Sequence, residues 1–93
     1  MITEYYDEGI DYSKFERNKD GYPGEFLNLE DIKEGKRIFF LDGPDKNLKE
    51  WCEIVDIKWD WKRHRVLVIM WNEAYEKFTT MDRVDVYCYA RTM

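Results

Sequence analysis

With 93 residues, 17% of them aromatic and 38% charged, the chain can close one apolar core but not two, and is too rich in bulky groups to stay disordered. Acidic residues outnumber basic ones 20 to 15, a net charge of −5, which argues against a general affinity for nucleic acid, since that comes mostly from neutralised phosphates. No apolar run approaches the roughly 20 residues of a membrane span, and MITEYYDEG is acidic where a secretory leader is basic and then apolar, so no membrane partner and a cytoplasmic (intracellular) setting are expected.

Residues 1–31 hold nine acidic groups against three basic ones (Lys14, Arg17, Lys19), whereas residues 32–93 hold eleven against twelve. The first stretch carries Tyr5, Tyr6, Tyr12, Phe15, Tyr22 and Phe26 without a sustained period of two or 3.6, and KDGYPGEF is turn chemistry. It reads as an irregular acidic N-terminal arm whose rings either pack along the domain or are offered to a partner. NLEDIKEG then supplies Asn28 as an N-cap, a short turn through Leu29 and Ile32, and Gly35 as its stop.

From Gly35 onward the pattern is β. RIFFL (37–41) is a β-favouring run halted by DGPD, where Gly43 and Pro44 break any ladder. WCEIVDIKWDW (51–61) alternates from Val55, with Val55, Ile57, Trp59 and Trp61 on one face and Asp56, Lys58 and Asp60 on the other. Cys52 and Ile54 fall on the opposite parity, which calls for either two partly buried faces or a bulge. RVLVIMW (65–71) is apolar on both parities and reads as a central strand with one face in the core and the other covered. YEKFTT (75–80) reads as a fourth strand, MDRV as a turn, and DVYCYA (85–90) as a fifth strand with Val86, Cys88 and Ala90 on one side.

Five short strands with tight connections suit a curved sheet that closes on itself, since a flat one leaves two open edges. The order EGKRIFFLDGPD, EWCEIVDI, RVLVIMWNEAYEKF, MDRVDVY resembles the SH3-like barrels of the Tudor, chromo-barrel and KOW kind over residues 34–89. The expected fold is therefore mainly β: a five-stranded SH3-like (Tudor-like) barrel over residues 32–93, with the arm (1–31) packed on it or extending from it, and short helical turns. In such domains a methylated Lys or Arg is held by an aromatic cage, and the resemblance places Phe40, Trp51, Trp71 and Tyr75 at its positions with Asn72 as a polar partner. Ring faces attract cations by about 0.5 to 2 kcal/mol per contact. The sequence WNEAY departs from the Tyr-x-Asn ending of that cage, so the same rings also fit a general cleft for a protein partner, or core packing.

KWDWKRHRV (58–66) sets Lys58, Trp59, Trp61, Lys62, Arg63, His64 and Arg65 at the hairpin between the second and third strands. It reads either as a finger for phosphates, with an indole to stack a base, or as a solvated turn paired with Asp56, Asp60 or the acidic arm. Cys52 and Cys88, without CxxC spacing and with one histidine in the chain, make no zinc site, and reduced thiols are expected. No catalytic constellation, Gly-rich phosphate loop, metal site or cofactor motif is present in the sequence, so no enzyme and no cofactor are expected. The expected function is a non-catalytic module that binds another protein through an aromatic cleft and the basic hairpin tip. The alternatives are a nucleic-acid-binding barrel using the Lys58–Arg65 hairpin, and a small acidic inhibitor, viral antagonists being one example, whose arm fills a cationic groove of a nucleic-acid enzyme. Monomer and homodimer both fit.

Overall fold

A computed structural model describes residues 8–17, 23–42 and 48–93. Tyr5, Tyr6, Tyr22, the start of KDGYPGEF and the Gly43–Pro44 break lie outside the described residues. The strands are β1 (Glu25–Phe26), β2 (Arg37–Asp42), β3 (Leu48–Asp60), β4 (Arg65–Asn72), β5 (Lys77–Asp82) and β6 (Arg91–Thr92), with a helix α1 (Arg83–Tyr89) between β5 and β6. They form one sheet in the order β1-β6-β2-β3-β4-β5, and each pair is antiparallel.

The meander from β2 to β5 follows the β-favouring runs of the sequence. Inside β3 the register slips between Ile54 and Asp56, so the phase change in WCEIVDIKW is a β-bulge at Val55. Cys52 and Ile54 before the bulge, and Ile57 and Trp59 after it, thereby share one face with Asn72, Met70, Val68 and Val66 of β4. That face is the core side. Leu27, Ile32, Ile38, Cys52, Ile54, Val68, Met70, Val86 and Ala90 form its buried cluster. The turn after Asn28 forms as expected, with Leu29–Asp31 in a 3-10 turn, the Asp31 carboxylate accepting the Asn28 N–H at 3.2 Å, and Gly35 at φ +92.

Two expectations are corrected. Residues 85–89 are helical, with Ala90 as the extended C-cap, and not a fifth strand, and the sheet does not close into a barrel, because β1 and β5 stand at its two edges. Val86 and Ala90 occupy the same side in a strand, two steps of two, and in a helix, one step of four; both are fully buried. Cys88 separates the cases: in a strand it would share their burial, whereas here it is only half-buried. Asp85 in the first turn complements the helix dipole, and the helix lays Val86 and Ala90 over Val68 and Met70. Covering by α1 thus replaces closure as the way the core face is shielded. Met81 and Asp82, expected in a turn, complete β5, while Tyr75 belongs to the preceding turn, where Glu76 takes φ +51.

On the other face, Phe39 is fully buried where β1 and β6 fold back on β2. Gly24 makes that approach feasible: at φ +83, a Cβ there would stand 2.7 Å from the Phe39 Cζ and 2.8 Å from the Thr92 carbonyl oxygen. Gly24→Ala is accordingly expected to cost about 2 kcal/mol through strain and overpacking. Urea denaturation measures this, and an unchanged midpoint would show that the backbone yields there without penalty.

Candidate binding surfaces

Antiparallel partners point to the same side of a sheet, so the register sorts the residues flanking the core. Opposite the α1-covered face, β4 presents Leu67, Ile69 and Trp71, β5 presents Phe78 and Thr80, and β3 presents Trp51, Glu53, Asp56 and Lys58. The Trp71 and Phe78 rings meet edge-to-face with centroids 4.9 Å apart, and Phe78 is 64% exposed. Leu67, Ile69 and Trp71 beside it are part-buried, so Phe78 is the exposed ring of this face. The described part of the arm lies against Val66, Arg83 and Tyr87.

Beside this patch, Trp51 packs at a tilt against Phe39, with centroids 4.9 Å apart, and carries the Arg37 guanidinium 4.0 Å from its ring centroid. Arg37 is clamped by two 2.8 Å bonds donated to the Glu73 carboxylate. This hydrogen bonding holds the Glu73 carboxyl below its usual range and raises Arg37. One face of the Trp51 ring is thus already occupied by the chain's own cation.

The five residues placed at cage positions divide between the two sides of the sheet. Trp51 and Trp71 are on the uncovered face. Phe40 and Asn72 are on the core face, where Phe40 packs against the buried cluster and Asn72 donates to Glu50 and accepts the Tyr75 N–H at 3.0 Å. Tyr75 stands in the turn, exposed, with Lys77 Nζ 5.6 Å from its ring. They do not converge on one enclosure, because pairing by position along the chain ignored the pleat. Phe39 is the ring that joins Trp51, and Phe78 the one that joins Trp71. The clue to Phe78 was the four-residue turn 73–76, which sets Lys77 opposite Asn72 and therefore Phe78 opposite Trp71.

At the hairpin tip, residues 61–64 form the loop, closed by His64 at φ +56. The Asp60 carboxylate accepts the Lys62 and Arg63 N–H groups at 3.0 and 3.3 Å. Arg63 lies 3.5 Å from Asp60 and 3.9 Å from Asp82, and Lys58 lies 4.0 Å from Asp56. Arg65, half-buried, donates to the His64 carbonyl at 3.4 Å. Trp59 sits on the core side with the Trp61 and His64 rings edge-on at 5.8 and 4.8 Å, leaving Trp61 77% exposed. The basic groups thus project outward, with local carboxylates beside two of them.

A third cluster was invisible in the sequence. The Glu8 side chain, 1% exposed, accepts from the Tyr12 hydroxyl at 2.6 Å, the Val66 N–H at 2.9 Å and an Arg83 Nη at 2.9 Å. Burial, helped by the bond to Glu8, pushes the Tyr12 hydroxyl up to about 12. Burial opposes the Arg83 charge, but its bonds to Tyr12 and Glu8 outweigh this and leave it raised. Among the described residues, the arm therefore docks Glu8 at the start of α1 and the base of the hairpin, away from Lys62 and Arg63 at the tip.

Among the described residues, no group of three or more His, Cys, Asp and Glu side chains is placed to hold a metal ion, and no helix is long and apolar enough to cross a membrane. Cys52 and Cys88 are free thiols. The class that these elements define is an open antiparallel β-sheet with one face under a helix and the other bearing rings. Compared with known proteins, the chain matches no family model, no curated protein and no solved structure.

Proposed function

We propose that the chain is a non-catalytic binding module that holds another protein against the uncovered sheet face, with Trp71 and Phe78 at its centre. The observation that supports this is the row of apolar residues on the face opposite α1: Phe78 is 64% exposed and pairs with Trp71, beside the part-buried Leu67 and Ile69. Contiguous exposed apolar surface marks interaction sites, and aromatic and Arg side chains are enriched in interfaces. A large exposed ring such as Phe78 contributes little to folding and much to a contact.

A second reading is favoured by one observation at the hairpin, where Trp61 is extensively exposed between Lys58 and Lys62. There the module contacts single-stranded nucleic acid by stacking and phosphate pairing. One set of variants separates the two. Phe78→Ala is expected to weaken capture of the protein partner by at least about tenfold, equivalent to 1.4 kcal/mol, while shifting the thermal transition little. Trp61→Ala should leave that capture intact. Quantitative pull-down with both variants, alongside titration of labelled oligonucleotides at low salt, reads the result. Equal capture by wild type and Phe78→Ala removes the sheet-face reading, and oligonucleotide binding lost only in Trp61→Ala installs the second.

A further inference from the structure

We propose that Glu8–Arg17 is a strap seated in a peptide-binding site of the chain's own body, and that this site accepts a partner segment of the same chemistry. That chemistry is a carboxylate, a tyrosine four residues on and a second aromatic ring three residues further. The site is distinct from the uncovered sheet face and shares none of its residues.

Three anchors define it. The Glu8 carboxylate takes the Val66 N–H and the Arg83 guanidinium, partners 58 and 75 residues away in sequence. The Tyr12 ring, whose hydroxyl lies 3.3 Å from Arg83 Nε, packs edge-on against Tyr87 at 5.0 Å and Phe15 at 5.6 Å. Arg17 donates to the Leu27 and Tyr87 carbonyls at 2.8 and 3.1 Å and stacks on the Tyr87 ring at 4.0 Å. The receiving groups belong to β4, α1 and the residue after β1. They are a main-chain donor and a cation for the carboxylate, a ring edge for the aromatics, and two carbonyls with a ring face for a guanidinium, which together select an acidic and aromatic segment that ends in an arginine.

The buried cluster between sheet and helix contains no residue of the strap. Its hold is polar and aromatic and comes from Glu8 and Tyr12, both buried outside that cluster, while Asp11, Ser13, Lys14 and Glu16 face solvent. An element attached in this way opens locally without the core opening. Val66 N–H marks the design: β5 ends at Asp82, opposite Leu67, so the edge of β4 beyond that point is completed by Glu8. When the strap lifts, the Val66 N–H, the Arg83 guanidinium and the Tyr87 ring are released together. Because the strap is tethered, its effective concentration is of millimolar order, so a partner segment gains access only by competing with it.

The probe is a labelled, acetylated peptide of residues 8–17, EGIDYSKFER, titrated by fluorescence anisotropy into the full chain and into a full chain carrying Glu8→Ala with Tyr12→Ala. Binding to the double variant is expected to be at least about tenfold tighter than to wild type, and replacement of the peptide's first glutamate, the one matching Glu8, by glutamine should weaken it. A folded double variant that takes up no peptide overturns the proposal. Should the double variant not fold, hydrogen exchange on the unaltered chain decides. The Val66 amide, bonded to the strap, should exchange together with Phe15, which donates to the Tyr12 carbonyl, and at least about a hundredfold faster than Val68 or Met70. If Val66 and Phe15 exchange only with global unfolding, the strap is a fixed part of the fold and the site does not exist as proposed.

Discussion

Raising the pH from about 8.5 to 12 is expected to remove about 5 kcal/mol of stability, more than any single substitution proposed here. Two buried groups cause it. Tyr12 is pushed up from its ordinary 10.0 to about 12 by burial and by its bond to Glu8, and Cys52 from 9.0 to about 11 by burial, with Glu50 and Glu73 nearby adding to the effect. Each group holds its proton more tightly folded than unfolded, so its contribution is complete below its unfolded value and disappears as pH climbs through the folded one. Displacements of this size are worth between about 2 and 3 kcal/mol apiece. Cys88 is also raised by burial, with Asp85 adding to it, and acts in the same direction.

The two windows are separable. Cys52→Ala should flatten the loss between pH 9 and 11, and Tyr12→Phe the loss between pH 10 and 12, each relative to its own stability at pH 8. Urea midpoints measured at each pH provide the readout. A midpoint that stays level to pH 11 in the unaltered chain would mean that Cys52 and Tyr12 are far wetter than their burial implies.

The four strands between Arg37 and Asp82 were legible, with the last displaced by two residues, because burial on a sheet imposes a period of two, and the slip of that period at Cys52–Val55 left a bulge or two partly buried faces, of which the bulge is the one found. Residues 85–90 were not. Val86 and Ala90 satisfy both periods, so only the layer that covers Val68 and Met70 chooses between them, and a six-residue window holds no record of that layer. The aromatic site was legible in composition and illegible in facing: Phe39 and Phe40 are adjacent letters, yet the pleat sends one to Trp51 and the other to the core. The hairpin tip was legible near residues 62–64 because charges there interrupt two apolar runs, whereas Trp61, which shares its parity with Trp59, is 77% exposed because the strand ends at Asp60. Glu8 gave no signal at all, since one carboxylate among nine in an acidic stretch looks solvated, and the groups that bury it are contributed by residues 66 and 83.

Glu8 is also where the largest effect of a single substitution is expected. Glu8→Ala should cost about 3 kcal/mol, because it leaves the largely buried Arg83 charge and the buried Val66 N–H without their shared acceptor. For a domain of this size that corresponds to a fall in Tm of roughly 12 to 24 °C. Removing both charges together, as Glu8→Leu with Arg83→Met, should recover part of the loss, since an apolar pair of similar volume needs no desolvated partner. Recovery cannot be complete, because the Val66 N–H still lacks an acceptor, at about 1 to 3 kcal/mol. The order expected by thermal or urea unfolding is therefore wild type, then the double variant, then Glu8→Ala. A Glu8→Ala chain within about 0.5 kcal/mol of wild type, the range of an ordinary surface change, would show that the carboxylate is not held by these donors in solution. The same variant bears on the alkaline transition: the bond from Tyr12 to Glu8 is one cause of the raised Tyr12 value, so in Glu8→Ala the loss between pH 10 and 12 should shrink while the Cys52 window between 9 and 11 remains.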